Sequence, residues 1–133
     1  MSYLLDTHAF LWTISAPKKL PAKVRNIVQS SANDISLSAV SLWEAATKIR
    51  AGKLDIQGKT PTDLLNEAVA LNFTIIDLTA QEAAGHVSLS ESTHFDPFDR
   101  LLIWQAISRK LTLLSGDTQF PKFKKDGLKL LWR

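Results

Sequence analysis

Ser2-Tyr3-Leu4-Leu5-Asp6-Thr7-His8-Ala9-Phe10-Leu11-Trp12 changes its hydrophobic period at Asp6. Residues 2–5 form a short apolar run that reads as a buried strand. From Thr7 to Ile14 the apolar residues Phe10, Leu11 and Ile14 fall at helical spacing. The same alternation recurs along the chain. Pro17–Pro21 is a break, and Pro21 suits the first position of a helix to about Ser31. Ile35–Ser38 reads as a second strand, followed by a helix from about Val40 to Arg50 that Gly52 stops. After a loop over 53–60, Thr60-Pro61-Thr62-Asp63 opens a helix with Leu64, Leu65, Ala68 and Leu71 as its apolar positions. Phe73–Ile76 is a third strand, Thr79 to about Val87 a helix, and Ser88–Phe95 a polar loop. Asp96-Pro97-Phe98-Asp99 starts a strongly apolar helix to about Lys110. Leu111–Leu114 is a fourth strand, and Leu128–Trp132, beyond the turn at Asp126-Gly127, a fifth. Strands alternating with helices imply a parallel sheet covered on both faces, hence one α/β domain over residues 1–133.

The totals narrow the chemistry. A chain of 133 residues fits a single domain, and 45% hydrophobic with 22% charged residues is an ordinary globular balance. The absence of cysteine removes thiol nucleophiles, thiolate metal sites and disulfides, and it suits a reducing cytoplasm. No signal peptide is expected at Met1-Ser2-Tyr3, because no basic segment precedes an apolar core there. No apolar run approaches the roughly 20 residues of a membrane span. His8, His86 and His94 have no spacing that would make a zinc site.

The acids carry more information. Asp6 follows the first strand, Glu44 lies in the first turns of the helix after the second, Asp99 lies in the first turn of its helix, and Asp117 follows the fourth strand. In open α/β sheets, ligands bind outside the carboxyl ends of the strands. Carboxylates gathered there repel one another unless cations neutralise them, and oxygen-only donors favour Mg²⁺ or Mn²⁺ over zinc. The chemistry such a site permits is phosphodiester hydrolysis, in which a metal lowers the pKa of water and offsets charge on the phosphoryl and leaving oxygens. Setting Asp6, Glu44, Asp96, Asp99 and Asp117 aside leaves eight acidic against 16 basic residues elsewhere, a surface suited to a metal ion and a polyanionic substrate.

Each acid also has a local reading. Asp6 suits the cap of the first helix, and Ser41-x-x-Glu44 resembles a capping box with Glu44 four residues before Lys48. Asp96 before Pro97 is a strong N-cap with a possible supporting effect on a metal, and Asp99 suits the helix dipole. Ser115-Gly116-Asp117 reads as a turn. Thr7 and Ser115 suit either capping or the positioning of water or metal. Arg100 reads as a phosphate contact or as an exposed helix charge, and Lys122-Phe123-Lys124-Lys125 as a solvated basic loop or a nucleic-acid contact. Trp43 and Trp104 read as core or dimer contacts. What favours chemistry is the joint placement of the acids at one sheet edge.

The segments Leu4-Leu5-Asp6-Thr7-His8-Ala9-Phe10-Leu11-Trp12, Ser41-Leu42-Trp43-Glu44, Asp96-Pro97-Phe98-Asp99-Arg100-Leu101-Leu102-Ile103 and Leu114-Ser115-Gly116-Asp117-Thr118-Gln119-Phe120 together resemble the PIN domain, and more narrowly the VapC-type toxins of bacterial toxin–antitoxin pairs. The resemblance runs over nearly the whole chain, and Asp96–Ile103 is its most specific part. It implies a three-layer α/β/α sandwich with a five-stranded parallel sheet, Mg²⁺-dependent endoribonuclease activity, a homodimer, and inhibition by a small cognate antitoxin. Asp6, Glu44, Asp99 and Asp117 match the family's acidic quartet, and Ser115 its small hydroxyl position. In that reading Asp6, Asp99 and Asp117 hold metal, and Glu44 orients or activates water. Phe95 and Trp104 depart from the pattern, standing where a basic and a small residue are common.

Two other classes compete. A non-catalytic PIN-like module that binds RNA or protein would be expected to have lost acids of the quartet. A phosphotransfer domain would need an Asp-x-Asp at the first strand or paired acids after it, and Asp6-Thr7-His8 supplies neither.

Overall fold

The computed structural model describes all 133 residues. Five strands, β1 (Ser2–Leu5), β2 (Asp34–Ser38), β3 (Thr74–Ile76), β4 (Thr112–Leu114) and β5 (Lys129–Leu131), form one sheet in the order β3-β2-β1-β4-β5. Every pairing is parallel. Six helices connect them: α1 (Thr7–Ser15), α2 (Ala22–Gln29), α3 (Ala39–Arg50), α4 (Pro61–Ala70), α5 (Ala80–Gly85) and α6 (Pro97–Ser108). Short 3₁₀ turns cover Pro17–Lys19, His86–Ser88 and Phe120–Asp126.

Side-chain alternation along the strands divides the interior into two cores. Tyr3, Leu5, Ile35, Leu37 and Leu114 pack with Phe10, Val24, Ala45, Leu64 and Phe73 on one face. Leu4 and Leu113 face the other way, against Leu102, Ile103, Ala106, Phe120 and Phe123. Helices α1 to α4 thus cover one face, and α6 with the 120–126 turn covers the other, which is the three-layer sandwich expected from the sequence. The second core carries a polar seam. Ser38 Oγ donates to Gln105 Oε1 at 2.5 Å, and Gln105 Nε2 donates to Glu82 and to the Asp77 carbonyl. The Arg109 guanidinium closes the seam on Glu82 at 2.7 Å. Burial alone would raise the Glu82 carboxyl, but Arg109, Gln105 and the Thr79 N–H outweigh it and hold it at about 2.

Several local expectations meet a different arrangement. Pro21 stands just before α2 rather than inside it. Ser38, not Ser41, caps α3 by accepting from the Val40 N–H. Ser41 is wholly buried one turn further on, so the capping-box reading of Ser41-x-x-Glu44 is replaced by a tertiary contact described below. The basic stretch 120–126 is not a free loop: Phe120 and Phe123 are buried while Lys122, Lys124 and Lys125 face outward. Trp43 is 54% exposed, with its edge against Phe98 at 4.9 Å, so it is not a core residue.

Candidate active site

The chain lays down β1, β2 and β3 to one side of β1, then crosses to place β4 and β5 on the other. Helix α1 leaves β1 and the 115–119 turn leaves β4 at that point, and the crevice lies beyond the carboxyl ends of these two strands. Asp6 is the first residue past β1, and its N–H donates to the carbonyl of Leu114, the last residue of β4. Ser115, Gly116 and Asp117 follow directly. The parallel register Leu5↔Leu114 therefore fixes Asp6 beside the 115–117 segment.

Asp6 is buried and caps α1, accepting from the Ala9 N–H at 2.6 Å. Burial pushes its carboxyl up to about 6, against the hydrogen bonds from Ser115 and Ala9 and the attraction of His8, while the charge of Asp99 adds to the rise. Asp99 is also pushed up to about 6, first by burial and then by Asp96 and Glu44, although His94 pulls it down. The His94 Nε2 lies 2.8 Å from Asp99 Oδ2. Asp6 thus feels the charge of Asp99, and Asp99 that of Asp96 and Glu44, each after the larger effect of burial.

The other predicted residues take distinct places. Glu44 is buried; its Oε1 accepts from Thr7 Oγ1 at 2.6 Å and its Oε2 from Lys48 at 2.7 Å. Thr7 Oγ1 also lies 3.1 Å from Ser41 Oγ, so Thr7 joins the start of α1 to α3. Asp96 is exposed and caps α6, accepting from the Asp99 N–H at 3.0 Å. Asp117 is exposed, accepts from the Gln119 N–H, and shares a cavity with Asp6. Ser115 accepts from the Asp117 N–H at 3.1 Å. Arg100 turns to the preceding loop, donating to the carbonyls of Glu91 and His94 and lying over Phe123. Its role here is to hold the 91–94 loop, and with it His94, against α6.

His94 is the residue the sequence did not single out. Its spacing matches no metal motif, and only the tertiary fold returns the 88–95 loop to the start of α6. Its ring is wedged edge-on against Phe120 and Phe123 at about 6 Å, so burial of those two rings sets its position.

No group of three carboxylates and histidines converges closely enough to chelate one ion. Glu44 is engaged by Lys48 and Thr7, and Asp117 by its own turn. The donor set nevertheless fits a hard divalent cation. Asp6 and Asp99 are neighbouring carboxylates with pKa values raised by burial and by like charge, the environment that a cation relieves, and Mg²⁺ needs only one or two direct carboxylates. The pH consequence has a definite sign. A carboxyl whose folded pKa lies above its unfolded value stabilises the fold at low pH, and that contribution is lost as pH rises through the folded value. Glu82 works oppositely, but only below the ordinary carboxylate range. Without divalent ions, the melting temperature should therefore rise by about a few degrees from pH 7.5 to pH 5. Added Mg²⁺ should raise it at pH 7.5 and much less at pH 5; calorimetry at both pH values checks this.

A family model of the PIN domain matches residues 3–126, and this chain belongs to that family. Solved structures share the fold over essentially the whole length. The VapBC2 complex of Rickettsia felis bound to a promoter DNA fragment is 22% identical, with a TM-score of 0.71 and full coverage of both chains. The DNA-bound VapBC of Salmonella typhimurium is 17% identical with a TM-score of 0.68, covering 98% of this chain and 97% of that one. FitAcB of Neisseria gonorrhoeae is 21% identical with a TM-score of 0.58, covering 98% and 96%. A search of curated proteins gives no match.

Proposed function

We propose that this PIN-domain protein is an Mg²⁺-dependent endoribonuclease of the VapC type, the toxin of a VapBC-like pair. The observation that carries the reading is a pair of carboxylates raised first by burial and then by neighbouring charge: Asp6, buried where the strand order reverses, and Asp99, half-buried on the first turn of α6. Full-length likeness to chains from VapBC and FitAcB complexes supports the toxin assignment.

In this reading Asp6 and Asp99 hold the cation directly or through water, with Asp117 completing its surroundings. When bound, Mg²⁺, or Mn²⁺ in its place, lowers the pKa of water and offsets charge on the phosphoryl and leaving oxygens. Glu44 orients the attacking water and sets the negative charge beside Asp99. Thr7 fixes Glu44, Ser115 holds the turn that carries Asp117 beside Asp6, and Asp96 fixes the first turn of α6 that presents Asp99. Basic residues outside the crevice hold the RNA backbone by phosphate neutralisation. Arg100 supports the site through the 91–94 loop.

Partners follow the same reading: a small cognate antitoxin that blocks the crevice, and a second copy of this chain. The exposed Trp43, edge-on to Phe98, supports a homodimer face. No helix is long and apolar enough to cross a membrane, and the reading places the protein in the cytoplasm.

A second reading, an RNA- or protein-binding PIN module without turnover, is favoured by one observation, the absence of three convergent donors. Cleavage of RNA by the purified chain separates the two. Cleavage that EDTA stops and Mg²⁺ restores is the expected result. RNA binding with no metal-dependent turnover would establish the second reading instead.

A further inference from the structure

Asp6 and Asp117 form one wall of a cavity of about 360 Å³ whose other walls are aromatic and basic. Trp12, on α1, and Trp132, just past β5, lean together at 45° with ring centroids 6.1 Å apart, forming an aromatic corner. Lys19 sits over the Trp12 ring at 5.8 Å, and Arg133 completes the rim. The corner is built into the backbone. Gly116, between Ser115 and Asp117, has no side chain, and a Cβ there would lie 2.5 Å from Trp132 Nε1. Glycine at 116 thus lets the indole lie directly on the segment that carries Asp117. A second cavity of about 400 Å³ shares His8, Trp12 and Lys19 and continues past Lys48 and Lys53, so cations line the way out of the corner.

We infer that this aromatic corner is a nucleobase subsite, in which a base of single-stranded RNA next to the scissile phosphate stacks on Trp132 or Trp12. The inference rests on the nuclease reading of the neighbouring acids and adds to it a place where the substrate is read. Half-buried indoles offer a stacking face to any base, and Lys19 and Arg133 meet the flanking phosphates. The two indoles match a flat, uncharged base, Lys19 and Arg133 match a charged backbone, and Asp6 and Asp117 on the same wall set that base beside the acids. The volume lies in the range of ligand pockets. Stacking on one aromatic side chain is worth roughly 5- to 150-fold in affinity per base.

The test is binding in EDTA, followed by tryptophan fluorescence, of hexa-adenylate, hexa-uridylate and an abasic ribose-phosphate hexamer of equal charge. At least one base-bearing strand should bind about tenfold or more tighter than the abasic one and quench fluorescence. Trp132→Leu and Trp12→Leu should each bring that ratio toward one while leaving abasic binding unchanged. A ratio near one in the wild-type chain, which needs no variant to fold, would overturn the proposal. So would a ratio unchanged in both variants, or quenching by an arginine-containing peptide with no response to RNA. Base-dependent binding without Mg²⁺-dependent cleavage would uphold the subsite while sinking the nuclease reading. Cleavage with a ratio near one would do the reverse.

Discussion

Asp99→Asn and Asp6→Asn should each lower Mg²⁺-dependent RNA cleavage by on the order of 10²–10³-fold or more, as expected when a main electrostatic element of a site is removed. Both variants should remain folded. Asn keeps a cap oxygen at position 6, so the bond from the Ala9 N–H survives. Each carboxyl is already pushed up to about 6 by burial and neighbouring charge, so a neutral amide relieves a penalty at pH 7.5. The melting temperature of the metal-free variants should thus equal or exceed that of the wild-type chain. Lost activity with retained or raised stability marks residues kept for function at the expense of the fold. Asp96→Asn is the comparison: it preserves the cap of α6 and should change cleavage by less than about tenfold. Equal losses at 96 and 99 would argue that helix geometry, not charge, is what matters. Cleavage rates and thermal unfolding, measured on all three variants, decide.

Phe123→Ala should cost about 3–5 kcal/mol of stability, the usual range for emptying a buried aromatic position. That is a large share of the 5–15 kcal/mol that holds a typical domain together. Phe123 is wholly buried in the second core with Leu4, Leu102 and Leu113. The His94 ring and the Arg100 guanidinium both lean on it. Urea unfolding should show a lower midpoint with an unchanged slope. Cleavage should fall as well under conditions where the variant is folded, because His94 loses one of the two rings that seat it against Asp99. A loss below about 1 kcal/mol would mean that the 120–126 segment is the solvated loop its lysines suggest.

These two predictions mark where the sequence was readable and where it was not. The strand-to-helix change at Asp6, the Asp96-Pro97 start of α6 and the alternation that demands a parallel sheet are local signals, and the structure contains each. Boundaries moved by a residue or two, as at β4, which begins at Thr112, and α6, which ends at Ser108. The larger departures come from tertiary contacts. Ser41 has the spacing of a cap, but its hydroxyl meets Thr7, since α1 packs on α3 there. His94 and Asp99 are joined by a loop whose path depends on Arg100 and two buried phenylalanines. The sequence Phe120-Pro121-Lys122-Phe123-Lys124-Lys125 is dominated by cations, and only its two rings, three residues apart as in a 3₁₀ turn, hint at a buried edge. Trp12 and Trp132 lie 120 positions apart, and nothing local announces that β5 brings them together.

The site was legible to the same degree. Asp6, Glu44, Asp99 and Asp117 each have a convincing cap, ion-pair or turn role, and the structure contains those local bonds as well. Sheet order adds what sequence spacing could not: Asp6 and Asp117 meet in one crevice because β1 and β4 are neighbours, and Asp99 reaches Asp6 electrostatically from α6. The central claim is that these acids serve a divalent cation in cutting RNA. The most direct measurement is RNA cleavage by EDTA-stripped protein as Mg²⁺ is added back. No cleavage without the ion and a saturable return with it is the predicted result. Cleavage that persists in EDTA, or that Mg²⁺ fails to restore to a folded protein, would contradict the account.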